Sequence, residues 1–581
     1  MAKRLAGALL MAALDTLAQS VPPAPAPAAL ACAGLTAITA DAATIKSATA
    51  VTAPLQVGSV NVEVPFCRVQ GVARPSPDSE INFEVWLPPT RSAWTGRLKV
   101  SGTGGFAGAT PYARLAQDVA DGFVAAGSDM GHVGGESPNW ALKHPEKVKD
   151  WGYRAHYFVA TAAKALARAH YAEPVARAYF EGCSNGGRQG MMMAQRYPEL
   201  FDGIAVGAPS MFYADALMAL LWTAKLEVPV LGQPAMLPLT KKALISRRVH
   251  EACDGIDGVV DQQITNPRAC PFNPAVLRCS AADSDDCLTD KELAVAQAIY
   301  RGAHTEAGLQ RWTGLVLGSE NSWDPDFAEN GGYGRFIGHV VYSQPSPPFD
   351  WRKLNMATDH DLIKQALGPI TSAPSPDLTA FKARGGKLIH YHGWNDAIVS
   401  PHTSPNYFNA VAQFEKLKLH PKPVFDQRVE ALSPGDVLTT TLEMAPTVQA
   451  YYRLFMMPGV GHCGVPSDGR GPNAIGGGYQ EPPKAYRKAE HHVTSALIKW
   501  VEEGVAPEAI VATRVVGDAV VRQRPLCLYP KQAVYKGSGD PDAASNFACA
   551  MPALDQLVTT AADVVQVQNA LRQREVLGPT R

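Results

Sequence analysis

The sequence predicts an α/β fold in which helices pack against a mostly parallel sheet. Strand-like and helix-like segments alternate along the first part of the chain, and such alternation indicates a parallel sheet because each crossover helix returns the chain to the same edge. Two more strand-like segments follow a long interruption, so the sheet resumes there. The predicted elements are, in order, strands 81–87 and 97–100, helix 111–120, strand 123–126, helix 155–171, strand 177–181, helix 187–196, and strands 201–206, 387–393 and 452–457.

The interruption between the two groups of strands predicts an insertion with its own scaffold. It is rich in Pro, Gly and Asp, contains four cysteines and shows no regular periodicity. The C-terminal extension is expected to be one helix, 554–575, that packs on the surface. The predicted organisation is a signal peptide and flexible lead-in (1–31), a first core part (32–214), an inserted lid segment (215–375), a second core part (376–552) and the C-terminal extension (553–581).

Composition excludes two classes of partner. The 53 basic and 54 acidic residues give a formal charge of −1 without a basic block, so a nucleic-acid-binding function is not expected. The longest apolar runs are too short for a membrane-spanning helix. A hydrophobic content of 46% in 581 residues predicts a globular protein with an extensive core. The expected partner is therefore a small molecule.

The N-terminus and the cysteines predict export. Lys3 and Arg4 precede a short apolar run, 5–14, and a Pro- and Ala-rich stretch, 21–29, which is the pattern of a signal peptide and lead-in; a disordered cytosolic tail is the alternative. Ten cysteines without a Cys-x-x-Cys pair favour five disulfides in an oxidising compartment over metal binding. The predicted location is therefore secreted or periplasmic.

A candidate nucleophile lies in the sequence Gly182-Cys183-Ser184-Asn185-Gly186. A strand-like segment precedes Ser184 and a helix-like segment follows it, which is the context of a nucleophile elbow, where a sharp turn exposes the serine hydroxyl. This context distinguishes the motif from a chance Gly-x-Ser-x-Gly.

The two later strands supply the partners that a serine nucleophile requires. A serine hydroxyl needs an imidazole to take its proton, and the imidazole needs a carboxylate to orient it. Asp396 follows the strand 387–393 and His462 follows the strand 452–457. The order Ser, Asp, His is that of the α/β-hydrolases, so the sequence predicts an α/β-hydrolase core with Ser184, Asp396 and His462 as the catalytic triad. A turn-forming role for Asp396 is the alternative.

Cysteines stand next to two members of this triad. If Ser184 and His462 are within hydrogen-bonding reach, Cys183 and Cys463 are forced close enough for a disulfide, although separate thiols or other partners are the alternative. Such a bridge would close a very long loop and would contribute roughly 5 kcal/mol in the chain-entropy description. Its predicted role is to keep the nucleophile and the base aligned.

Two backbone amides are needed to bind the oxyanion of a tetrahedral intermediate. Asn185 follows the nucleophile and supplies the first. The glycine-rich stretch 101–108 follows a strand and is the expected source of the second, with Gly102 preferred and Thr103 or Gly104 as alternatives.

The lid segment carries a candidate cation site. Asp254, Asp257 and Asp261 lie close together in a stretch with two glycines, and such oxygen ligands suit a hard cation, chiefly calcium. The spacing is not that of an EF-hand, and a simple Asp-Gly turn is the alternative.

Four motifs together resemble the tannase/feruloyl esterase family, and the likeness runs from about Cys32 to Pro552. They are Gly182-Cys183-Ser184-Asn185-Gly186-Gly187-Arg188, His392-Gly393-Trp394-Asn395-Asp396, Gly461-His462-Cys463 and Gly537-Ser538-Gly539-Asp540. The resemblance implies an α/β-hydrolase core with an inserted lid, the triad above and its adjoining disulfide. It also implies a structural calcium ion in the lid, held by Asp254, Asp257 and Asp261 and by the carbonyls of Val259 and Gln263. The remaining cysteine pairs that it implies are Cys32–Cys67, Cys253–Cys270, Cys279–Cys287 and Cys527–Cys549.

The activity expected from the residues and the resemblance is a secreted serine carboxylesterase for esters of aromatic acids, with feruloyl esterase as the preferred activity. Tannase and mono(2-hydroxyethyl) terephthalate hydrolase-like activities are alternatives, and a non-catalytic binding protein is a remote one. The lid is expected to close over the aromatic acyl group, whereas the oligomeric state is not predicted. The candidate substrate contacts are Trp312, Trp323, Tyr333, Arg335 and Phe336.

Overall fold

The computed structural model describes residues 29–574 except 136, 231–232, 331, 344–348, 466–469, 518 and 558, and the side chains of 328–330 and 555. The predicted signal peptide therefore lies outside the described residues, apart from the last three residues of the lead-in. No helix in the described part is long and apolar enough to cross a membrane.

A ten-stranded mixed sheet forms the centre of the molecule, in the order β1-β2-β5-β6-β8-β7-β9-β10-β11-β12. The strands from β8 to β12 in this order run parallel, and β1, β2, β5 and β6 extend the sheet in antiparallel fashion. The strands are β1 (Thr39–Ala40), β2 (Ala43–Val51), β3 (Leu55–Val57), β4 (Val60–Val62), β5 (Phe66–Ala73), β6 (Ile81–Leu87), β7 (Arg97–Ser101), β8 (Val124–Ser128), β9 (Arg177–Cys183), β10 (Gly203–Gly207), β11 (Lys387–Gly393), β12 (Tyr452–Met457), β13 (Ala509–Val516), β14 (Ala519–Cys527), β15 (Gln532–Tyr535) and β16 (Phe547–Ala550).

Helices cover both faces of the parallel part. Successive strand residues alternate between two hydrophobic clusters, as Phe180 and Tyr179 do on β9, so the sheet is buried on both sides. The α-helices are α1 (Tyr112–Ala120), α2 (Pro145–Lys149), α3 (Ala155–Tyr171), α4 (Asn185–Arg196), α5 (Tyr213–Glu227), α6 (Leu239–Cys253), α7 (Asp290–Arg301), α8 (Pro325–Asn330), α9 (Tyr333–Val340), α10 (Asp359–Thr371), α11 (Thr379–Ala383), α12 (Thr403–Leu417), α13 (Lys422–Glu430), α14 (Pro434–Gln449), α15 (Val493–Glu503) and α16 (Ala561–Arg572).

The predicted α/β core is confirmed, and β6, β11, β12 and α3 have the predicted bounds. The antiparallel strands β2 and β5 were not predicted, because their small and polar residues show little alternation in hydrophobicity. The insertion shows no regular periodicity in its sequence and is nevertheless rich in helices, since helices α5 to α11 lie between β10 and β11. Helix α5 is buried on most sides and so has no amphipathic period, and it crosses the predicted boundary at residue 215.

The C-terminal helix differs from its prediction in both start and environment. Helix α16 begins at Ala561, where Thr560 and Asp563 form a capping box, and not at residue 554. Val567 and Leu571 are fully buried and belong to the main core cluster. The helix is therefore part of the core packing against α12, α13 and α14, and not a surface tail.

Candidate active site

Ser184 lies on a sharp turn between β9 and α4. Its backbone has φ 60° and ψ −122°, a conformation that is strained for any residue with a side chain. Gly182 and Gly186 allow this turn, because a Cβ added to Gly182 would lie 2.6 Å from the carbonyl carbon of Gly186. The motif thus has the geometry of a nucleophile elbow, with a partly exposed serine at its tip.

Asp396 and His462 meet at the carboxyl ends of β11 and β12. His462 Nδ1 lies 2.7 Å from Asp396 Oδ2, while Asp396 Oδ1 accepts hydrogen bonds from the backbone amides of Ile398 and Val399 at 2.8 and 2.9 Å. The carboxylate is completely buried and the imidazole is 16% exposed. These contacts direct the second imidazole nitrogen away from the carboxylate, which is the orientation that a general base requires.

Opposing influences set the ionisation of Asp396. Burial by itself would raise the pKa of this carboxyl group, but the facing His462 and the hydrogen bonds from two imidazoles outweigh burial and hold the pKa below its ordinary value. Asp396 is therefore ionised throughout the pH range in which an esterase works.

A disulfide joins the serine segment to the histidine segment. The Cα atoms of Cys183 and Cys463 are 6.0 Å apart, and the bridge connects residues separated by 280 positions. The four other predicted pairs, Cys32–Cys67, Cys253–Cys270, Cys279–Cys287 and Cys527–Cys549, are also present, so no cysteine is free. Because each bonded cysteine directly adjoins Ser184 or His462, the bridge restrains the distance between these two residues.

We expect Cys183→Ser to lower both stability and turnover. Loss of the bridge would release a very long loop and cost up to roughly 5 kcal/mol in the chain-entropy description, and it would loosen the alignment of Ser184 with His462. Thermal melting and kcat of the variant measure the two effects separately. Cys279→Ser, which breaks the short bridge of separation 8, is the matched control and should leave kcat unchanged. Unchanged melting and turnover of Cys183→Ser would refute the alignment role.

The preferred second oxyanion donor, Gly102, was wrong because its amide is already engaged, whereas the alternative Gly104 remains available. It donates to the carbonyl of Glu181 at 2.8 Å, and the Thr103 amide donates to Gln189 Oε1 at 3.0 Å. Within the described residues, the amides of Gly104 and Gly105 have no acceptor, and Gly105 lines the cavity beside Ser184. The register of the loop, which the sequence does not reveal, therefore moves the candidate donor two or three residues along the chain.

Side chains of α4 hold the glycine-rich stretch 101–108 in place. Thr103 is contacted at its amide by Gln189, at its hydroxyl by the Gln189 Nε2, and at its carbonyl by Asn185 Nδ2, at 3.0, 3.4 and 3.3 Å. His156 Nε2 lies 2.8 Å from Gln189 Oε1 and supports this side chain from α3. The helix that follows the nucleophile thus also positions the opposite wall of the site.

Arg188 is a fully buried cation one turn below the nucleophile. Its Nε donates to Asn185 Oδ1 at 2.7 Å and its Nη1 donates to the Gly152 carbonyl at 2.6 Å. The guanidinium lies 4.6 Å from the centre of the Trp151 ring. Burial lowers the pKa of Arg188 to about 9, which leaves it charged at neutral pH. The sequence analysis named Arg188 only as the end of the first family motif and gave it no role, although a charged residue there was a usable signal.

A cavity opens beside Ser184 between the core and the lid segment. Its wall combines aliphatic side chains with hydroxyl groups. The lining residues are Gly105, Ser184, Asn185, Ser210, Tyr213, Ala216, Leu217, Leu220, Tyr333, Ile398 and Val399. Ser210 and Tyr213 were missed by the sequence analysis, although they follow the carboxyl end of β10, where sites in α/β sheets commonly form.

Of the five side chains predicted to contact substrate, Tyr333 alone lines this cavity within the described part of the chain. Trp312 packs against Phe212, Trp323 lies in the hydrophobic cluster of the lid segment, and Arg335 is exposed. Phe336 packs against Phe106 with ring centres 4.9 Å apart. These four residues have structural surroundings that do not support a substrate contact.

The carboxylates proposed to hold calcium are buried close together in the lid segment. Asp254, Asp257 and Asp261 are each less than 10% exposed, and burial together with Asp261 raises the pKa of Asp257 to about 6. Both side-chain amide atoms of Gln263 are buried without a partner among the described residues. An all-oxygen set that carries excess buried negative charge fits a hard cation such as calcium.

The same carboxylates have protein partners in this structure. Asp254 accepts hydrogen bonds from the amides of Asp261 and Gln262 at 3.1 and 2.7 Å, and Asp261 is paired with Arg524. The ligand atoms of the three aspartates do not all lie within 4.8 Å of one another. The three aspartates thus offer oxygen atoms of the kind that a hard cation takes, but in this structure Asp254 and Asp261 are engaged by protein donors.

The fold and the site define the class of the protein. A sheet that carries an elbow serine after one strand and a paired Asp and His after two later strands is the architecture of the α/β-hydrolases. Comparison with known proteins identifies the family within this class.

A family profile described as "Tannase and feruloyl esterase" matches residues 67–550. An uncharacterized esterase of Xanthomonas campestris pv. campestris is 36% identical, and the match covers 90% of this chain and 92% of the relative. A probable feruloyl esterase B-2 of Aspergillus terreus is 29% identical, with coverage of 83% and 85%. The crystal structure of feruloyl esterase B from Aspergillus oryzae superimposes with a TM-score of 0.75 at 26% identity, with coverage of 88% and 98%. The chain belongs to the tannase and feruloyl esterase family and is a carboxylic ester hydrolase.

Proposed function

We propose that the protein is an exported serine esterase that hydrolyses esters of aromatic carboxylic acids whose acyl group carries no further charge. Feruloyl esters are the preferred substrates. The cavity beside Ser184 carries this proposal. Its described wall has aliphatic side chains and hydroxyl groups but no Asp, Glu, Lys, Arg or His. Such a wall suits an aromatic ring with one or two neutral oxygen substituents.

The competing substrates differ in how well their acyl groups suit this uncharged wall. A terephthalate half-ester carries a free carboxylate, which is costly to bury without a cation, and Arg335 lies outside the cavity. A galloyl group presents three adjacent hydroxyls and needs more hydrogen-bonding partners than a feruloyl group. We therefore rank feruloyl esterase first, tannase second and the terephthalate activity third.

The proposed mechanism proceeds through an acyl-enzyme. Ser184 Oγ attacks the ester carbonyl while His462 accepts the hydroxyl proton, and Asp396 stabilises the imidazolium that forms. The amides of Asn185 and of Gly104 or Gly105 bind the oxyanion. His462 then gives its proton to the departing alcohol, which leaves the acyl group on Ser184. Water, activated by the same imidazole, releases the acid.

The test compares initial rates on methyl ferulate, methyl gallate and mono(2-hydroxyethyl) terephthalate, with Ser184→Ala as the control for each substrate. We expect the highest kcat/KM on methyl ferulate and the lowest on the terephthalate. A Ser184-dependent preference for gallate or terephthalate would overturn the assignment of the acyl group. A protein that hydrolyses none of the three and does not react with a serine-directed phosphonate would support the remote alternative, a binding protein.

Calcium is proposed as a structural ion in the lid segment, held by Asp254, Asp257 and Asp261 and by the carbonyls of Val259 and Gln263. When bound, the ion would supply positive charge to a buried cluster of carboxylates, and it has no role in acyl transfer. The family resemblance and the buried oxygen ligands support this proposal.

Removal of calcium is expected to lower the melting temperature by about 2 to 4 °C, the effect of losing an ion present well above its dissociation constant. The measurement is thermal melting with and without a calcium chelator, followed by return of calcium. Asp257→Asn is the matched variant, and the chelator should change its melting temperature less. A melting temperature of the wild type that does not respond to chelator would eliminate the metal site.

Export to the periplasm or the exterior is proposed from the five disulfides and the signal-like N-terminus. Fractionation of cells that express the full chain tests it. Recovery of the protein in the cytoplasm with reduced cysteines would contradict it.

A further inference from the structure

Asp396 accepts a hydrogen bond from a second imidazole, which the mechanism above does not use. His392 Nε2 lies 3.0 Å from Asp396 Oδ2, the same oxygen that His462 contacts at 2.7 Å. His392 is the last residue but one of β11 and is completely buried. Oδ1 is occupied by two backbone amides, so both oxygens of the carboxylate are engaged by protein donors.

The contact continues as a chain of buried hydrogen bonds away from the active site. His392 Nδ1 lies 2.6 Å from Ser404 Oγ, and Ser404 Oγ lies 2.8 Å from His390 Nε2. His390 Nδ1 lies 2.9 Å from the Tyr452 hydroxyl. The chain joins β11, α12 and β12, and each of its members is buried.

Donors and acceptors can be assigned along this chain, starting from the ionised Asp396. Asp396 is ionised and can only accept, so His392 Nε2 must donate to it. A neutral His392 then accepts from the Ser404 hydroxyl through Nδ1. Ser404 in turn accepts from His390 Nε2, and His390 Nδ1 accepts from the Tyr452 hydroxyl, which has no other acceptor among the described residues. His392, Ser404 and His390 each use one donor and one acceptor, so the chain is satisfied in one orientation.

His390, the next imidazole of the chain, is neutral. Burial holds the pKa of His390 well below its ordinary value, so the chain holds no charge at that position. A permanent positive charge on His392, next to the oxygen that stabilises protonated His462, would oppose protonation of the base during turnover.

We propose that His392, held at Nδ1 by the Ser404 hydroxyl, is a positioning residue that orients Asp396 and tunes the basicity of His462. Its N–H fixes the direction of Oδ2 toward the catalytic imidazole. It also withdraws negative charge from that oxygen, so that His462 is a weaker base than it would be opposite an unshared carboxylate. This role rests on the proposed triad and adds to it a residue that acts on His462 through Asp396.

The decisive variants are His392→Leu, His392→Gln and Ser404→Ala, assayed with 4-nitrophenyl acetate because its hydrolysis does not depend on the preferred acyl group. In His392→Leu, we expect kcat to fall about 10- to 100-fold, the effect of a small misplacement of a catalytic group, with KM nearly unchanged because His392 does not line the cavity. The acidic limb of the kcat/KM profile should move up by about half a pH unit or more, because the carboxylate loses a donor and holds the imidazolium more strongly.

His392→Gln can keep an N–H near the position of Nε2 and should recover most of kcat and of the acidic limb. Ser404→Ala removes the contact that holds His392 Nδ1 and leaves the ring oriented by Asp396 alone, so the hydrogen bond to Asp396 should weaken and the acidic limb should move in the same direction by a smaller amount. If His392→Leu does not fold, Ser404→Ala, the smallest of the three changes, tests the proposal.

His360→Leu is the matched control, because His360 is also a buried histidine hydrogen-bonded to a carboxylate, Asp215, but it lies in the lid segment. Its loss should lower the melting temperature without moving the acidic limb. A folded His392→Leu with wild-type kcat and acidic limb, or a Ser404→Ala whose limb does not move, would overturn the proposal. Ser184→Ala separates this failure from a failure of the triad, because it abolishes hydrolysis if the triad is right, whatever His392 does.

Discussion

Ser184→Ala is expected to lower kcat by about 10⁵- to 10⁶-fold, to the level that binding and oxyanion contacts supply without a nucleophile. The structural reason is that the strained turn after β9 presents the Ser184 hydroxyl as the nucleophile. The alanine has room, so the melting temperature should change little. Initial rates at saturating methyl ferulate, with thermal melting of the same samples, measure both quantities.

Ser210→Ala is the matched control, because Ser210 is the second serine of the cavity wall. Its loss removes at most one neutral hydrogen bond and should change kcat by less than about tenfold. If Ser184→Ala kept more than a small fraction of the wild-type rate, or if Ser210→Ala lost as much activity, the nucleophile would be misassigned.

Asp396→Asn is expected to lower kcat by about 10⁴-fold with little change in KM. Two backbone amides donate to Oδ1, so the asparagine oxygen must remain there to satisfy them. Its NH₂ group then takes the position of Oδ2 and faces the nitrogens of both His462 and His392. The amide donor forces His462 into the tautomer that cannot accept the serine proton.

Steady-state kinetics on methyl ferulate measure this effect, and Asp563→Asn is its matched control. Asp563 is an equally buried carboxylate that accepts from Asn406 in α12, far along the chain from the triad. Its replacement should lower the melting temperature and leave kcat near that of the wild type. A decrease of less than tenfold in Asp396→Asn would show that the carboxylate does not set the tautomer of His462.

Much of the site could be predicted because its parts are local or lie at strand ends. The turn at Ser184 depends on neighbouring glycines, so its geometry is encoded within a few residues. Asp396 and His462 each follow a buried strand, and parallel strands bring their carboxyl ends to one edge of the sheet. The disulfide between Cys183 and Cys463 then follows from the proximity of these ends.

Contacts between distant segments decided the rest. The predicted donor Gly102 is engaged by Glu181 of β9, and only the packing of the loop against that strand reveals this. The lid helix α5 is buried on most sides and therefore lacks the periodicity by which a helix is recognised in a sequence.

The sequence by itself determined the α/β class and the chemistry of the three site residues, because each depends on residue type and on order along strands. Four of the five cysteine pairs came only from the resemblance to a known family. Tertiary structure decided which amides remain for the oxyanion, which lid side chains reach the cavity and that His392 shares the carboxylate of Asp396. These features depend on distances between segments that are far apart in the chain, and residue type and spacing do not specify such distances.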